Sequence, residues 1–204
     1  GEDALVVRSP WDGSTVARVA RGGVATLERA AESAARSAGA IAAIPPERRA
    51  AILEAARADL LARKEEVAAT IVEEAGKPRT LARAEVDRAA DTLLASAHVA
   101  RYPELVARDL GGFASGAGRI ALTRRVPLGP VLAITPFNFP LNLVAHKLGP
   151  AVAAGCPVVL KPASQTPSAA LHLAASLQRA GLPDGALSVV PSRAADAERL
   201  VTDP

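Results

Sequence analysis

Apolar positions follow two different patterns along this chain, and the change comes near residue 126. Before it, they recur at helical spacing. Residues 24–43 carry Leu27, Ala31, Ala34, Ala35 and Ala38 on one face, and Pro45 and Pro46 punctuate the run. Pro46 suits the first position of a helix, where its missing N–H is not needed. The next run sets Ile52, Leu53, Ala56, Leu60 and Leu61 at helical spacing, then Val67, Ile71 and Val72. It stops at Gly76, with Pro78 just beyond. A third run extends from Arg79 to about Ala107. Charge alternates with apolar stripes across 24–108, as expected of a solvated helical layer packed on something else.

Residues 110–125 read as extended. Gly111-Gly112 and Ser115-Gly116-Ala117-Gly118 flank short apolar stretches, which predicts a hairpin. Gly116-Ala117-Gly118-Arg119-Ile120-Ala121 matches the letters of the Gly-x-Gly-x-x-Gly/Ala dinucleotide fingerprint. That fingerprint needs a helix after it, whereas Leu122 to Val126 is strand-like and runs into Pro127, so it reads as a turn. From 126 onward, short unbroken apolar runs alternate with helices. Val131-Leu132-Ala133-Ile134 is a strand, 140–154 a helix ending at Gly155, and Val158-Val159-Leu160 a second strand. Thr166 as cap and Pro167 as first residue open another helix, which ends at Gly181; Leu187-Ser188-Val189-Val190 is a third strand. Strands without alternation, separated by helices, imply a parallel sheet covered on both faces. The expected fold is α/β: an open parallel, Rossmann-like sheet with an N-terminal helical layer. The segments are an N-terminal strand and helical region at 1–109, the hairpin at 110–125, and a βαβαβ unit at 126–204. No internal repeat is visible.

Composition narrows the class. Of 204 residues, 50% are hydrophobic and 22% charged, which excludes a disordered or collagen-like chain. No apolar run approaches the ~18 residues that cross a bilayer, so no membrane association is expected. Gly1-Glu2-Asp3-Ala4-Leu5 has neither a basic nor an apolar signal region. The single Cys156 excludes an internal disulfide framework and fits a reducing cytoplasm. A net charge of +3, 2% aromatics and no dense basic block argue against a nucleic-acid partner.

Between Arg125 and Arg179 only Lys147 and Lys161 carry a formal charge, with no Asp or Glu, although the chain otherwise prefers Arg for its cations. Lysine can snorkel, burying its stem while the ammonium reaches water. Alternatively, each ammonium meets a polar or anionic partner from outside the segment, either a ligand or another stretch of protein. Lys161 ends the second strand, and Thr135-Pro136-Phe137-Asn138 follows the first. Ligands of open parallel sheets bind outside these carboxyl ends. The Lys161 ammonium and the Asn138 amide together suit a ligand bearing hydroxyls or phosphates. Asn138 could equally be a simple helix cap.

Three stretches carry a family resemblance: Val126-Pro-Leu-Gly-Pro-Val-Leu-Ala-Ile-Thr-Pro-Phe-Asn-Phe-Pro-Leu-Asn142, Lys147-Leu-Gly-Pro-Ala-Val-Ala-Ala-Gly-Cys-Pro-Val-Val-Leu-Lys-Pro-Ala-Ser-Gln-Thr-Pro167, and Ala180-Gly-Leu-Pro-Asp-Gly-Ala-Leu-Ser-Val-Val-Pro191. In this order and spacing they resemble the N-terminal part of the aldehyde dehydrogenase superfamily. Phe-Asn-Phe-Pro-Leu-Asn looks most like the branch acting on lactaldehyde or, without phosphorylation, on glyceraldehyde 3-phosphate.

The resemblance implies NAD(P)-dependent oxidation of an aldehyde to a carboxylic acid. It assigns Asn138 as the amide that donates to the oxyanion formed on thiolate attack. Lys147 matches a lysine in a charge relay with a later carboxylate. Lys161 matches the lysine that hydrogen-bonds the adenosine ribose of NAD or NADP. Ile134, Thr135, Pro136 and Phe137 match the loop along the cofactor, and Pro162, Ala163 and Ser164 match residues beside the ribose. The 110–125 hairpin resembles an oligomerisation element, which implies a homo-oligomer. Ser164 stands where NAD-preferring members carry Glu, so acceptance of NADP is expected. The family's nucleophilic Cys and general-base Glu lie beyond residue 204, so the expectation is that this chain alone is inactive and meets its aldehyde substrate only within the full-length enzyme. Cys156, in a helix-to-strand turn, reads as a small buried residue rather than that nucleophile, and no metal site is expected. The alternative is a non-enzymatic nucleotide-binding or assembly module derived from this fold.

Overall fold

The computed structural model describes residues 4–202; the ends of the two outer segments, residues 1–3 and 203–204, lie outside the described residues. The N-terminal strand expected from the sequence is half of a hairpin. β1 (Ala4–Arg8) pairs antiparallel with β2 (Thr15–Ala20), with a register shift at Val7/Arg8. The Asp12 carboxylate holds its turn, accepting from both the backbone N–H and the hydroxyl of Ser14.

The helices follow the expected order with shifted bounds. α1 (Val24–Ala42) buries Leu27, Ala30, Ala34 and Ile41, while Ala35, expected on its inner face, is exposed. The run from Pro46 to Gly76 is two helices, α2 (Pro46–Ala62) and α3 (Lys64–Ala75), broken at Arg63. The Arg63 guanidinium leaves the helix surface to reach the carbonyl of His172 and the hydroxyl of Ser176. α4 (Arg79–Arg101) stops before the expected Ala107 because Tyr102 precedes Pro103, and a residue before proline is pushed out of the helical region. The freed residues form β3 (Leu105–Asp109), paired antiparallel with β4 (Ile120–Arg124). The hairpin therefore spans 105–124, and the glycine-rich stretch is its loop. Gly116 packs there so closely that a Cβ would lie 2.2 Å from the Leu110 carbonyl oxygen. Leu105, Phe113, Ile120, Leu122, Val126 and Leu128 remain exposed on this arm and the segment after it.

The remainder is a three-stranded parallel sheet ordered β5 (Val131–Ile134), β6 (Val158–Lys161), β7 (Leu187–Val189). α5 (Asn142–Ala154) and α6 (Ser168–Arg179) make its crossovers, and α7 (Ala194–Thr202) follows. β6 is central and all four of its residues are buried. Val158 and Leu160 join the large core built by α2 to α6, and Val159 joins a second core with Leu27, Ala30, Ala34, Val190 and Ala197 of the α1 and α7 side. That two-sided burial is why the strands read as unbroken apolar runs.

A polar cluster closes the seam between α2 and α6. The Asp59 carboxylate accepts from Arg179, Ser176 and Arg63 at 2.7, 2.6 and 3.1 Å. Arg179, then Ser176 and Arg63, hold its carboxyl well below the usual range. Beside it, Arg63 donates to Nδ1 of His172 at 3.2 Å, and Nε2 lies 3.1 Å from the Thr70 hydroxyl. Burial pushes the His172 imidazole down. Both shifts favour the deprotonated forms in the folded state. Their contribution is complete above the unfolded values, about 6.5 for His and about 3.9 for Asp, and is lost on acidification. Stability measured by denaturant titration is therefore expected to fall in two steps as pH drops. Asp59→Asn is expected to destabilise the protein at neutral pH and to shrink the step below about pH 4, to which Asp12, Glu54 and Glu65 also contribute. An undiminished step in the variant would assign it to those other carboxyls.

Candidate functional site

Pairing of β5 with β6 puts Ile134 opposite Lys161, and the Thr135 N–H continues the ladder by donating to the Lys161 carbonyl at 3.2 Å. Two loops, 135–138 and 162–164, therefore leave the same carboxyl edge of the sheet side by side. Along the first, Thr135 is buried, while Ile134, Pro136, Phe137 and Asn138 are exposed. Along the second, Pro162 and Ala163 are buried and Ser164 is half-buried.

Lys161 is 6% exposed, so it does not snorkel to water. Among the described residues its ammonium makes one hydrogen bond, to the Pro162 carbonyl at 3.3 Å. Burial depresses its pKa, opposed by the charge of Asp196. An ammonium carries three donors, so this one has capacity in reserve. Ser164 donates its hydroxyl to the Ser192 carbonyl at 3.0 Å. The hydroxyls of Ser192 and Thr166 are buried with no partner among the described residues. Unused polar groups in a dry setting are costly unless something completes them. This donor set, at the carboxyl edge of a parallel sheet, fits a hydroxyl-bearing ligand.

Asn138 is exposed, and its side-chain amide makes no hydrogen bond among the described residues. It is therefore no helix cap. Its backbone carbonyl accepts from the Lys77 ammonium at 2.9 Å. Lys77 also pairs with the Glu85 carboxylate and lies 4.1 Å from the centroid of the Phe139 ring. Glu85, 1% exposed, accepts the N–H groups of Leu141 and Asn142 at 2.9 and 3.1 Å. A carboxylate from α4 thus caps α5, which starts at Asn142 rather than at Pro140. The same device serves α6. Thr166, expected to cap it, does not; the Ser168 N–H donates to the Glu74 carboxylate of α3 at 3.1 Å.

Lys147 stands apart. It lies on the exposed side of α5, and among the described residues no carboxylate comes within 4.0 Å of its ammonium. Cys156 is buried at the turn leading into the amino end of β6, at the opposite edge of the sheet from Asn138 and Lys161. A cavity of about 700 Å³ opens between α4, α5 and the 125–127 segment leading into β5. It is lined by Val99, Tyr102, Val126, His146 and Pro150, none of them from the two loops. No cluster of three His, Cys, Asp or Glu suited to a metal occurs among the described residues. No helix among them is long and apolar enough to cross a membrane.

The sequence pattern of the aldehyde dehydrogenase family matches residues 1–204. This chain belongs to that family. It is 41% identical over 202 residues to aspartate-semialdehyde dehydrogenase 1 of Pseudomonas canavaninivorans, covering 98% of this chain and 43% of that protein. Among solved structures, aldehyde dehydrogenase 21 of Physcomitrella patens, in complex with the reaction product succinate, superposes with a TM-score of 0.91 at 40% identity. NADP-dependent glyceraldehyde-3-phosphate dehydrogenase of Bacillus halodurans, complexed with NADP, does so at 0.94 and 32%. Each superposition covers 100% of this chain and 43% of the other, so the chain spans less than half the length of these relatives. The expected α/β fold with a parallel sheet is the one these aldehyde dehydrogenases share.

Sequence reasoning passed over Lys77, Glu85 and Glu74. One signal was available: Glu85 sits at apolar-face spacing, three after Ala82 and four before Ala89, where an acid is out of place. Glu74 has no such warning, and no cation pairs with it among the described residues. Its Oε1 has no partner, and burial raises its pKa. A raised folded value means that the cost of its charge is absent below about pH 4.3 and grows as pH rises through that value. Glu74→Gln keeps an acceptor for Ser168 and removes the charge. It is expected to gain stability over the native protein with rising pH, and Glu74→Ala, which removes the same charge but also the cap, is expected to lie about 1 kcal/mol below Glu74→Gln at every pH. Denaturation midpoints between pH 4 and 8 test this; a pH-independent offset for Glu74→Gln would show that the buried charge costs nothing.

Proposed function

We propose that this chain is the cofactor-binding portion of an NAD- or NADP-dependent aldehyde dehydrogenase that oxidises an aldehyde to a carboxylic acid. The observation that carries the reading is the β5–β6 pairing, which sets the Asn138 loop against the loop of the buried, under-used Lys161 ammonium. Asn138 donates its side-chain amide to the aldehyde oxygen as a thiolate sulfur bonds to the carbonyl carbon and negative charge moves to that oxygen. Bound NAD or NADP supplies the acceptor for the hydride that leaves this carbon, giving a thioester that water then cleaves. Lys161 binds ribose hydroxyls with its free donors, and Pro162, Ala163 and Ser164 flank that sugar. Ile134, Thr135, Pro136 and Phe137 line the cofactor's path. Lys147, exposed and unpaired, receives a carboxylate from outside these residues. The nucleophile also comes from outside them, because Cys156 is buried at the far edge of the sheet.

The exposed apolar side chains of the β3–β4 arm support pairing of this arm with another copy in a homo-oligomer. The single cysteine supports a cytoplasmic setting. The semialdehyde and glyceraldehyde-3-phosphate dehydrogenases among the relatives support a small polar aldehyde as substrate.

Cofactor choice follows from Ser164. A carboxylate there would accept from ribose hydroxyls and repel a 2′-phosphate; serine removes the repulsion. Because the Ser164 hydroxyl is committed to Ser192, tolerance of the phosphate rests on the absent charge rather than on a donated hydrogen bond. In the full-length protein, Ser164→Glu is expected to lower the NADP-to-NAD ratio of kcat/KM by about tenfold, or about 1.4 kcal/mol. An unchanged ratio would show that this position does not read the phosphate. Cys156→Ala is expected to leave turnover intact, and its abolition would make Cys156 the nucleophile. Nucleotide binding by the full-length protein without oxidation of any aldehyde would favour a binding module instead.

A further inference from the structure

We propose that Lys77, held by Glu85, is a positioning residue for the Asn138 amide. The inference rests on the preceding reading of Asn138 as the oxyanion donor, and it adds what orients that donor.

Asn138 lies on an exposed loop, and among the described residues its side chain has no hydrogen-bond partner that would fix it. An oxyanion donor must nevertheless be held close to its productive geometry before the charge develops. The backbone is the remaining handle, and the structure grips it from outside the sheet. Lys77 donates to the carbonyl of Asn138 itself, the residue that carries the amide, at 2.9 Å. The same ammonium covers the ring of Phe139 at 4.1 Å, and Arg88 covers it at 5.5 Å. Three residues on, Glu85 takes the N–H groups of Leu141 and Asn142. The Lys77–Glu85 ion pair joins the two grips, so the 138–142 segment is held at both ends by one charged unit.

The unit is itself rigidly mounted. α3 ends at Gly76 in the left-handed region, at φ +63°, and a Cβ there would lie 2.9 Å from Pro10 of the N-terminal hairpin. Pro78 then sits at the N-cap of α4. Lys77 is fixed between these two residues and is only 14% exposed, and Glu85 follows two turns along α4. Losing the Lys77 charge strands a buried carboxylate, so some loss of stability is expected for any substitution. A positional role needs a readout that stability does not move.

The test is a double-mutant cycle in the full-length protein with Lys77→Met, Asn138→Ala and the pair. It measures kcat and KM for the aldehyde, the cofactor dissociation constant by fluorescence titration, and the melting temperature. Lys77→Met is expected to lower kcat about tenfold while KM and the cofactor constant stay within about twofold. In the Asn138→Ala background, the same substitution is expected to change kcat less than about twofold. Equal losses in both backgrounds would overturn the proposal and leave Lys77 a role in folding alone. A normal kcat for Asn138→Ala alone would refute the oxyanion reading, and the positioning role with it. If Lys77→Met does not fold, Glu85→Gln enters the same cycle: it keeps an acceptor for Leu141 and Asn142 and weakens only the hold on Lys77. The same pattern is expected, with the same outcome overturning it.

Discussion

Burial of β6 on both faces is the constraint from which the rest of the structure follows. A strand with no wet side must be apolar along its length, and it needs a layer on each face to remove it from water. Val158 and Leu160 supply one face and Val159 the other. The α1–α7 pair and the α2–α6 body are those two layers. The first polar side chain the strand can present is therefore at its end. Lys161 takes that position, where it is still buried and still short of partners. The place where the core stops being able to exclude charge is also the place where a ligand of a parallel sheet binds.

The helical layer is more than a cover for that sheet. Neither α5 nor α6 has a side-chain cap from its own neighbouring residues. Each receives a buried carboxylate from the layer beneath, Glu85 for α5 and Glu74 for α6. Orphan N–H groups at a helix start must be met by something, and the polar residues of the preceding loop usually do it. Here the loop residues are released from that duty. Among the described residues, Asn138 keeps a free amide and Thr166 a free hydroxyl, and the start of α5 is held by a charge on α4, the helix before it in the chain.

This division of labour explains what the sequence could and could not announce. The three parallel strands were legible because unbroken apolar runs between glycine and proline stops have few other readings. The order of the helices was legible for the same reason. The break at Arg63 was not, because both halves keep the same apolar spacing and the interruption serves contacts with α6, more than a hundred residues away. The end of α4 was written in Tyr102-Pro103, but its alanine-rich stripe masked it. Asn138 and Lys161 stood out because their chemistry is rare in that stretch. Lys77 was hidden because basic residues are common in a helical layer, and Glu85 was marked only by its place on the apolar face between Ala82 and Ala89; their burial is what sets the pair apart.

The two capping carboxylates differ in a way that bears on the site. Glu85 has a cation beside it, so its charge is compensated where it is buried. Glu74 has none among the described residues, and burial works against its ionised form. An uncompensated charge holds a helix start with a strength that changes as it ionises. The compensated cap lies under the Asn138 loop, where the proposed function requires a donor to stay in place while negative charge appears in front of it. The uncompensated cap lies under α6, behind the loop of Pro162 to Ser164, where the proposed contact with a sugar asks for less precision than stabilising a transient anion. A single added lysine, placed by a glycine–proline turn, separates the two cases.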